Sequence, residues 1–372
     1  MTVTETQISK VVVPSANGSQ PTTYPSGKPR IVHTEQLTKL YGQVRAVDGV
    51  NFDVQEGEIF GFLGPNGAGK STTIKMLTTL VKPTAGRATV VGYDLATQQN
   101  QIRNVIGYVA QEIGVDNRAS GRENLEMQGH LYHMSNAEIK QRVDELLELV
   151  DLAKDAKKLA AAYSGGMRKR LDIATGLIHR PKLLFLDEPT TGLDPQTRAN
   201  LWEYIRRLNQ EQGVTIFLTT HYLEEADRLC NRIAIIDNGK IMALDTPSKL
   251  KDEVSGDVIS ITFDNAELPA DPAKREAAQA ALSGQPWVTD IKQSDKGGLN
   301  VYVSGGETAM PQLLRLLDQH NLPVVSISMS RPSLDDVFLK YTGHQMRDEA
   351  ASGMPSMAAM GMNWGGGKRK GR

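Results

Sequence analysis

Cysteine is almost absent: Cys230 is the single one in 372 residues. One thiol excludes an internal disulfide and suits a reducing compartment, so Cys230 reads as a small residue packed on a helix rather than a nucleophile. Long apolar runs are lacking too. Nothing approaches the ~18 consecutive apolar residues of a membrane-spanning helix, and the longest apolar pieces, such as Leu183-Leu184-Phe185-Leu186, are strand-sized. The first residues hold no apolar signal region, so membrane attachment is expected only through a partner or the tail. Net charge is also nearly nil, with 42 Lys and Arg against 43 Asp and Glu, which gives no sign of a nucleic-acid partner reached through bulk electrostatics. The remainder, 40% hydrophobic and 23% charged, is ordinary for a globular protein. Its length exceeds one ordinary domain, and about two to three are expected.

Against that plain background one stretch stands out, Gly64-Pro65-Asn66-Gly67-Ala68-Gly69-Lys70-Ser71, followed by Thr72. It fits the phosphate-binding pattern G-x-x-x-x-G-K-[ST]. An apolar, strand-like run from Glu58 to Leu63 precedes it, and Thr72 to Leu80 reads as a helix stopping before Pro83. The glycines let backbone N–H groups curl around an anion without Cβ clashes, and the helix N-terminus adds partial positive charge. In this motif Lys70 reaches the β- and γ-phosphates and the Ser71 hydroxyl ligates Mg²⁺. The stretch predicts a nucleoside triphosphate site.

Residues 1–29 hold Ser, Thr, Pro and Gly with little periodicity and read as a disordered leader. Alternating strand patterns run from Ile31 to Tyr41 and from Val50 to Leu63, broken at Tyr41-Gly42 and Glu56-Gly57. Tyr41 is equally a base-stacking aromatic and a core or edge tyrosine. Short strands follow at Ala88–Gly92 and Val105–Val109, the second leading to Gln111. Gln111 is positioned either to touch a metal and an attacking water or to be a surface amide. From about Asp116 to Ala162 the chain reads as a helical insert, amphipathic over Glu138–Leu152. Tyr163-Ser164-Gly165-Gly166-Met167-Arg168-Lys169-Arg170 closes it and leads into a helix to Ile178. The apolar strand Leu183–Leu186 then ends in Asp187-Glu188. A carboxylate at such a strand tip is either a cap or the aspartate that holds Mg²⁺, and a second beside it repels the first unless a cation or proton relay uses both. Thr190-Thr191-Gly192-Leu193-Asp194-Pro195 reads as a turn, and the strand Val214–Leu218 leads through Thr219-Thr220 to His221. Glu224 and Glu225 look like an exposed helix start.

Phosphate loop, Gln111, Ser164-Gly165-Gly166, Asp187-Glu188, Gly192-Leu193-Asp194 and His221 occur in the order and approximate spacing of an ABC ATPase, which residues 31–250 therefore resemble. The commonest signature, Leu-Ser-Gly-Gly-Gln, is altered here by Tyr163 and Met167, and a methionine cannot make the contacts of an amide. The form Tyr163-Ser164-Gly165-Gly166-Met167-Arg168, with Gly121-Arg122-Glu123-Asn124-Leu125 upstream, resembles the ATP-binding subunits of daunorubicin-resistance-type drug exporters.

The resemblance implies a P-loop NTPase α/β fold over residues 30–250, with a RecA-like core, an antiparallel β subdomain and the helical insert. It implies ATP and Mg²⁺ as cofactors, the metal held by Ser71, Gln111 and Asp187. Two copies would pair head to tail, so that Ser164, Gly165 and Gly166 of one complete the site holding Lys70 of the other. Glu188 would orient or deprotonate water, and His221 would link the γ-phosphate to Glu188 and to the opposite Asp194. The expected function is the ATP-hydrolysing subunit of an exporter at the cytoplasmic face of the membrane, driving a separate transmembrane permease, with no nucleic acid involved. A soluble ABC ATPase acting on ribosomes or nucleic acid is the alternative. It fits less well, because the chain has one cassette and no heptad run.

Past a hairpin about Asn238-Gly239, a linker is expected near Lys249–Gly256, closing the first domain. The order strand (Val258–Phe263), helix (Ala273–Leu282), strands (Val288–Gln293, Leu299–Val303), helix (Thr308–His320) and strand (Val324–Met329) predicts a small α+β, ferredoxin-like domain over 254–344. A short amphipathic helix at Ser333–Leu339 ends it. Dimer support or regulation is the expected role. The Met- and Gly-rich tail, 345–372, ending Lys368-Arg369-Lys370-Gly371-Arg372, reads as solvated and disordered.

Overall fold

The computed structural model describes residues 29–254, 257–263, 272–294, 298–330, 332–344 and 346. The leader and the basic tail lie outside the described residues. The chain opens with β1 (Arg30–Tyr41) and β2 (Val44–Gln55), a hairpin turning at Gly42, whose φ of 59° suits a residue without Cβ. Then come β3 (Ile59–Leu63), α1 (Lys70–Leu77), β4 (Ala85–Val90), β5 (Tyr93–Asp94), α2 (Gln99–Val105) and β6 (Ile106–Val109). The insert supplies α3 (Gly121–Leu131) and α4 (Asn136–Leu149), each opened by a serine–glutamate capping box. After α5 (Gly165–Gly176) follow β7 (Leu183–Asp187), α6 (Pro195–Gln212), β8 (Thr215–Thr220), α7 (Leu223–Leu229), β9 (Arg232–Asp237), β10 (Lys240–Asp245) and α8 (Pro247–Glu253). The last third holds β11 (Asp257–Thr262), α9 (Pro272–Leu282), β12 (Val288–Gln293), β13 (Leu299–Val303), α10 (Gly306–Gln319), β14 (Ser326–Ser330) and α11 (Leu334–Thr342).

The six-stranded sheet β10-β9-β3-β8-β7-β6 is parallel except at its β10 edge, and an antiparallel sheet β2-β1-β4-β5 packs against it. β3, β7 and β8 are buried along their whole length, as continuous apolar runs in a parallel sheet must be. Their alternating side chains feed two cores. Phe60, Phe62 and Phe217 meet Phe52 of the antiparallel sheet with ring centroids 5.3–6.0 Å away, and Phe185 joins them through Phe217 at 5.4 Å. Ile59, Leu63, Leu184, Leu186, Ile216 and Leu218 point the other way, into the core that the insert and α5–α7 share.

The end domain has strand order β12-β13-β11-β14, all antiparallel, which is the ferredoxin-like arrangement. It keeps its own core around Ile259, Val301 and Leu313. Leu334, Val337 and Phe338 of α11, however, are buried in the first domain's core. Burying each such side chain contributes about 1.5–3 kcal/mol, so α11 is a structural part of the ATPase-like body.

Some expectations need correction. The expected linker at Lys249–Gly256 is largely helical: Thr246 caps α8, Pro247 sits at its first position, and Leu250 is buried. A threonine–proline start is a helix signal in its own right. The helix after the phosphate loop ends at Leu77 rather than Leu80, because Thr79 turns left-handed at φ 64°. Within the insert, α3 begins at Gly121; Asp116 instead pairs its backbone with Asn124. Glu225 is not exposed but wholly buried on α7.

Candidate active site

The carboxyl ends of β3, β6, β7 and β8 converge, and each releases one polar segment into the same crevice, where ligands of open α/β sheets bind. From β3 comes the glycine loop. Gly67 and Gly69 adopt φ of 82° and 105°, and a Cβ on Gly64 would stand 2.2 Å from the Ile236 carbonyl oxygen. The loop is braced by Gly64 N–H on Thr220 O (3.2 Å) and by Gly239 N–H on Ala68 O (3.0 Å). Lys70 begins α1 and curls back, its ammonium donating to Gly64 O at 2.8 Å and Pro65 O at 3.0 Å.

Glu188 follows β7 and faces that ammonium, Lys70 Nζ to Oε1 being 3.0 Å. Its other oxygen collects Thr191 Oγ1 and His221 Nδ1 at 3.1 Å each and Gln111 Nε2 at 3.3 Å. Burial alone would raise its pKa; the His221 hydrogen bond and the Lys70 charge outweigh it and hold the carboxyl at about 2. Glu188 also sits at φ 47°, pinned by its N–H on Thr219 Oγ1 (3.0 Å). A non-glycine residue in that region persists only where its surroundings impose it, commonly at functional sites.

Asp187, one residue earlier, accepts Ser71 Oγ at 3.0 Å and Thr219 Oγ1 at 2.6 Å through the same oxygen. Asn66, Gly67, Gly69, Lys70, Ser71, Thr72, Gln111 and Glu188 line one cleft of about 340 Å³. Pro65 and Ala68 close the turn behind it through the 3.2 Å Ala68 N–H to Pro65 O bond.

Three expected site elements lie elsewhere. Ser164 caps α5, its hydroxyl accepting Met167 N–H at 3.2 Å, and Gly166 packs so closely on Thr197 that a Cβ would fall 2.4 Å from its methyl. Ser164 and Gly166 line a separate cavity of about 400 Å³ between α5 and α6. Asp194 caps α6 beside it, accepting Thr197 N–H at 3.0 Å. Tyr41 ends β1, 48% exposed as a residue and with the Lys39 ammonium 5.0 Å from its ring centroid, outside the cleft lining.

Residues that sequence reasoning passed over also gather here. Thr219 serves both acids, and the polar pair ending an apolar strand was the signal for it. Glu225 receives the Trp202 indole N–H at 2.9 Å, tying α7, which follows His221, to α6, which follows Asp194. Burial raises its carboxyl pKa against the pull of nearby Thr220, Trp202 and Thr190. Cys230 is buried, and burial pushes its thiol well up, so it is unsuited to nucleophilic work.

Comparison with known proteins identifies the family. The family model described as ABC transporter matches residues 47–191, and that of the DrrA1-3-like ATP-binding protein C-terminal domain matches 246–342. The daunorubicin resistance ATP-binding protein DrrA2 of Streptomyces coeruleorubidus is 44% identical over 86% of this chain and 97% of its own length. The linearmycin resistance ATP-binding protein LnrL of Bacillus subtilis is 36% identical over 86% and 100%. The Nod factor export ATP-binding protein I of Ralstonia nicotianae is 38% identical over 87% and 97%. Among solved structures, a dimeric ATP-binding cassette in a post-hydrolysis state with ADP and phosphate superposes with a TM-score of 0.52 at 28% identity, over 58% of this chain and 98% of that one. The cbiO1 subunit of Clostridium perfringens gives 0.57 at 28% identity, over 60% and 91%. With both family models matched and relatives up to 44% identical over nearly their whole length, the chain belongs to the ABC transporter ATP-binding family, in the branch of the daunorubicin-resistance ATP-binding proteins.

Proposed function

We propose that the chain is the ATP-hydrolysing subunit of an exporter of drugs, lipids or related amphiphiles, working as a head-to-tail homodimer on a separate membrane permease. The observation that carries this reading is the separation of two half-sites. Lys70, Ser71, Gln111 and Glu188 share one cleft while Ser164 and Gly166 line another. A two-fold pairing sets each half against its complement on the twin, and a dimeric cassette among the structural neighbours supports it. The resistance and export names of the relatives support the cargo class. No helix among the described residues is long and apolar enough to cross a membrane, so the partner would supply the membrane path and hold this subunit at the cytoplasmic face.

The donor set suits Mg²⁺. Ser71 Oγ and Asp187 Oδ1 are hard oxygens side by side, and the Gln111 amide oxygen is the remaining donor once its nitrogen serves Glu188. A protein site this sparse fits a metal that completes its shell with phosphate oxygens and water. When bound, the ion neutralises charge on the β- and γ-phosphates.

The chemistry of the chain's own residues follows. Lys70 exchanges Glu188 for phosphate oxygens; losing that neighbouring charge raises the Glu188 pKa toward the range of a working base. Glu188 then orients water and takes its proton as the water oxygen bonds to the γ-phosphorus and the bond to the leaving ADP oxygen breaks. His221, on Glu188 at 3.1 Å, holds that carboxylate in line. Ser164, Gly165 and Gly166 of the twin, with its Asp194, close the site, and Tyr41 offers an exposed ring to the base. Co-expression with a candidate membrane permease, sought first in the neighbouring reading frames, tests the proposal. ATP hydrolysis should rise on assembly, and unchanged turnover in an assembled complex would overturn it.

A further inference from the structure

Gln111 lies between β6, ending at Val109, and α3, beginning at Gly121, and residues 111–114 are exposed. An exposed loop that must place an amide 3.3 Å from Glu188 needs something to hold it. That support comes from one turn of α5. Lys169, 3% exposed, donates to Ala110 O at 2.9 Å and Gln111 O at 3.4 Å. Asp172, 5% exposed, accepts Gly114 N–H at 3.1 Å through one oxygen. Its other oxygen makes no hydrogen bond and lies 3.6 Å from the Lys169 ammonium.

We propose that Lys169 and Asp172 are a buried two-point clasp that fixes the Gln111 loop to α5, so that the position of Gln111 in its own cleft follows the signature helix capped by Ser164. These are positioning residues, since neither lines the cleft. Two features favour a functional clasp over simple packing. First, a buried ion pair is often no better for stability than apolar residues of the same volume, so the charges need another use. Second, their polar atoms go to the loop's backbone on both sides of Gln111. The same helix carries the signature toward the twin's nucleotide. The clasp therefore transmits arrival of the twin's γ-phosphate at Ser164 to Gln111 in the opposite site, making the two hydrolysis events cooperative. This last step rests on the head-to-tail pairing proposed above.

The test uses the full-length chain carrying Lys169→Met with Asp172→Leu, which fills the volume without the polar contacts. Expected are an unchanged urea midpoint, ATP affinity within threefold of the parent, kcat reduced tenfold or more, and an ATP-dependence Hill coefficient falling to one. Amide exchange at Gln111–Gly114 should accelerate while the remainder of the protein is unchanged. Should the double variant not fold, Lys169→Met alone frees residues 110–111 and reads the same quantities. Parent-like kcat, cooperativity and loop exchange would overturn the clasp. Glu188→Gln on the parent separates the two readings. If it stays monomeric with ATP, the pairing and the cross-site step fall together, while slow Gln111–Gly114 exchange in the parent and fast exchange in the double variant would still uphold the clasp within one chain.

Discussion

Replacing Glu188 by glutamine probes the centre of the site with the least change of shape. Four donors converge on the carboxylate: Lys70 on one oxygen, and Thr191, His221 and Gln111 on the other. Glutamine retains one acceptor. If its oxygen keeps the three donors, its NH₂ faces the Lys70 ammonium, which then rests on Gly64 O and Pro65 O alone. Loss of a base of this kind costs ~10²–10⁴ in rate, about 3–5 kcal/mol of barrier, while ATP affinity stays within about threefold because the loop is untouched. A stability effect accompanies it. The carboxyl is held at about 2 against an ordinary 4.5, which amounts to roughly 3 kcal/mol of native stability at neutral pH. Because this folded-state pKa is depressed, the contribution is complete above the unfolded value and is lost as pH falls from about 4.5 toward 2. Steady-state phosphate release, and urea unfolding of parent and variant across that window, measure both effects. With ATP the variant should also accumulate as a dimer. Hydrolysis within threefold of the parent would refute the base assignment. A stability gap that stays constant as pH falls would refute the claim that Lys70 and His221 hold the carboxyl down.

Ser164→Ala removes the cap on α5 and should cost about 1 kcal/mol in stability; it should slow hydrolysis without weakening ATP binding to a single chain, and equal turnover would exclude Ser164 from the twin's site. Glu225→Gln should keep a partner for the Trp202 indole, whereas Glu225→Ala leaves that buried donor unpaired at about 1–3 kcal/mol. Because burial raises the Glu225 pKa, its carboxyl favours the fold below the unfolded value and loses that advantage as pH rises through the folded one. The glutamine variant should thus gain on the parent in melting temperature between acid and mildly alkaline buffer, and a parallel shift would contradict the assignment.

Local pattern carried much of this molecule. The glycine loop, the apolar runs of β3, β7 and β8 and the βαββαβ order each answer to forces acting over a few residues: steric freedom at glycine, burial on both faces of a strand, and side-chain alternation. Such forces are written in neighbouring letters, so Lys70, Asp187 and Glu188 could be picked out from the chain alone. The Thr246-Pro247 start of α8 is a signal of the same local kind, a capping hydroxyl followed by proline at the first helical position.

Other features had no local signature. Glu225 is the same residue type as its exposed neighbour Glu224, yet is buried where α6 presents the Trp202 indole. Lys169 reads as one more basic residue in Arg168-Lys169-Arg170, and only the passage of residues 110–114 beside α5 turns it inward. α11 reads as the close of the end domain and packs instead into the first domain's core. In each case the deciding contact joins residues distant along the chain, and a buried polar group keeps its place only by finding a partner there. Sequence by itself determined which residues have the chemistry expected of a triphosphate site; tertiary packing decided which of them meet, because desolvation and partner geometry arise only once separate segments are brought together.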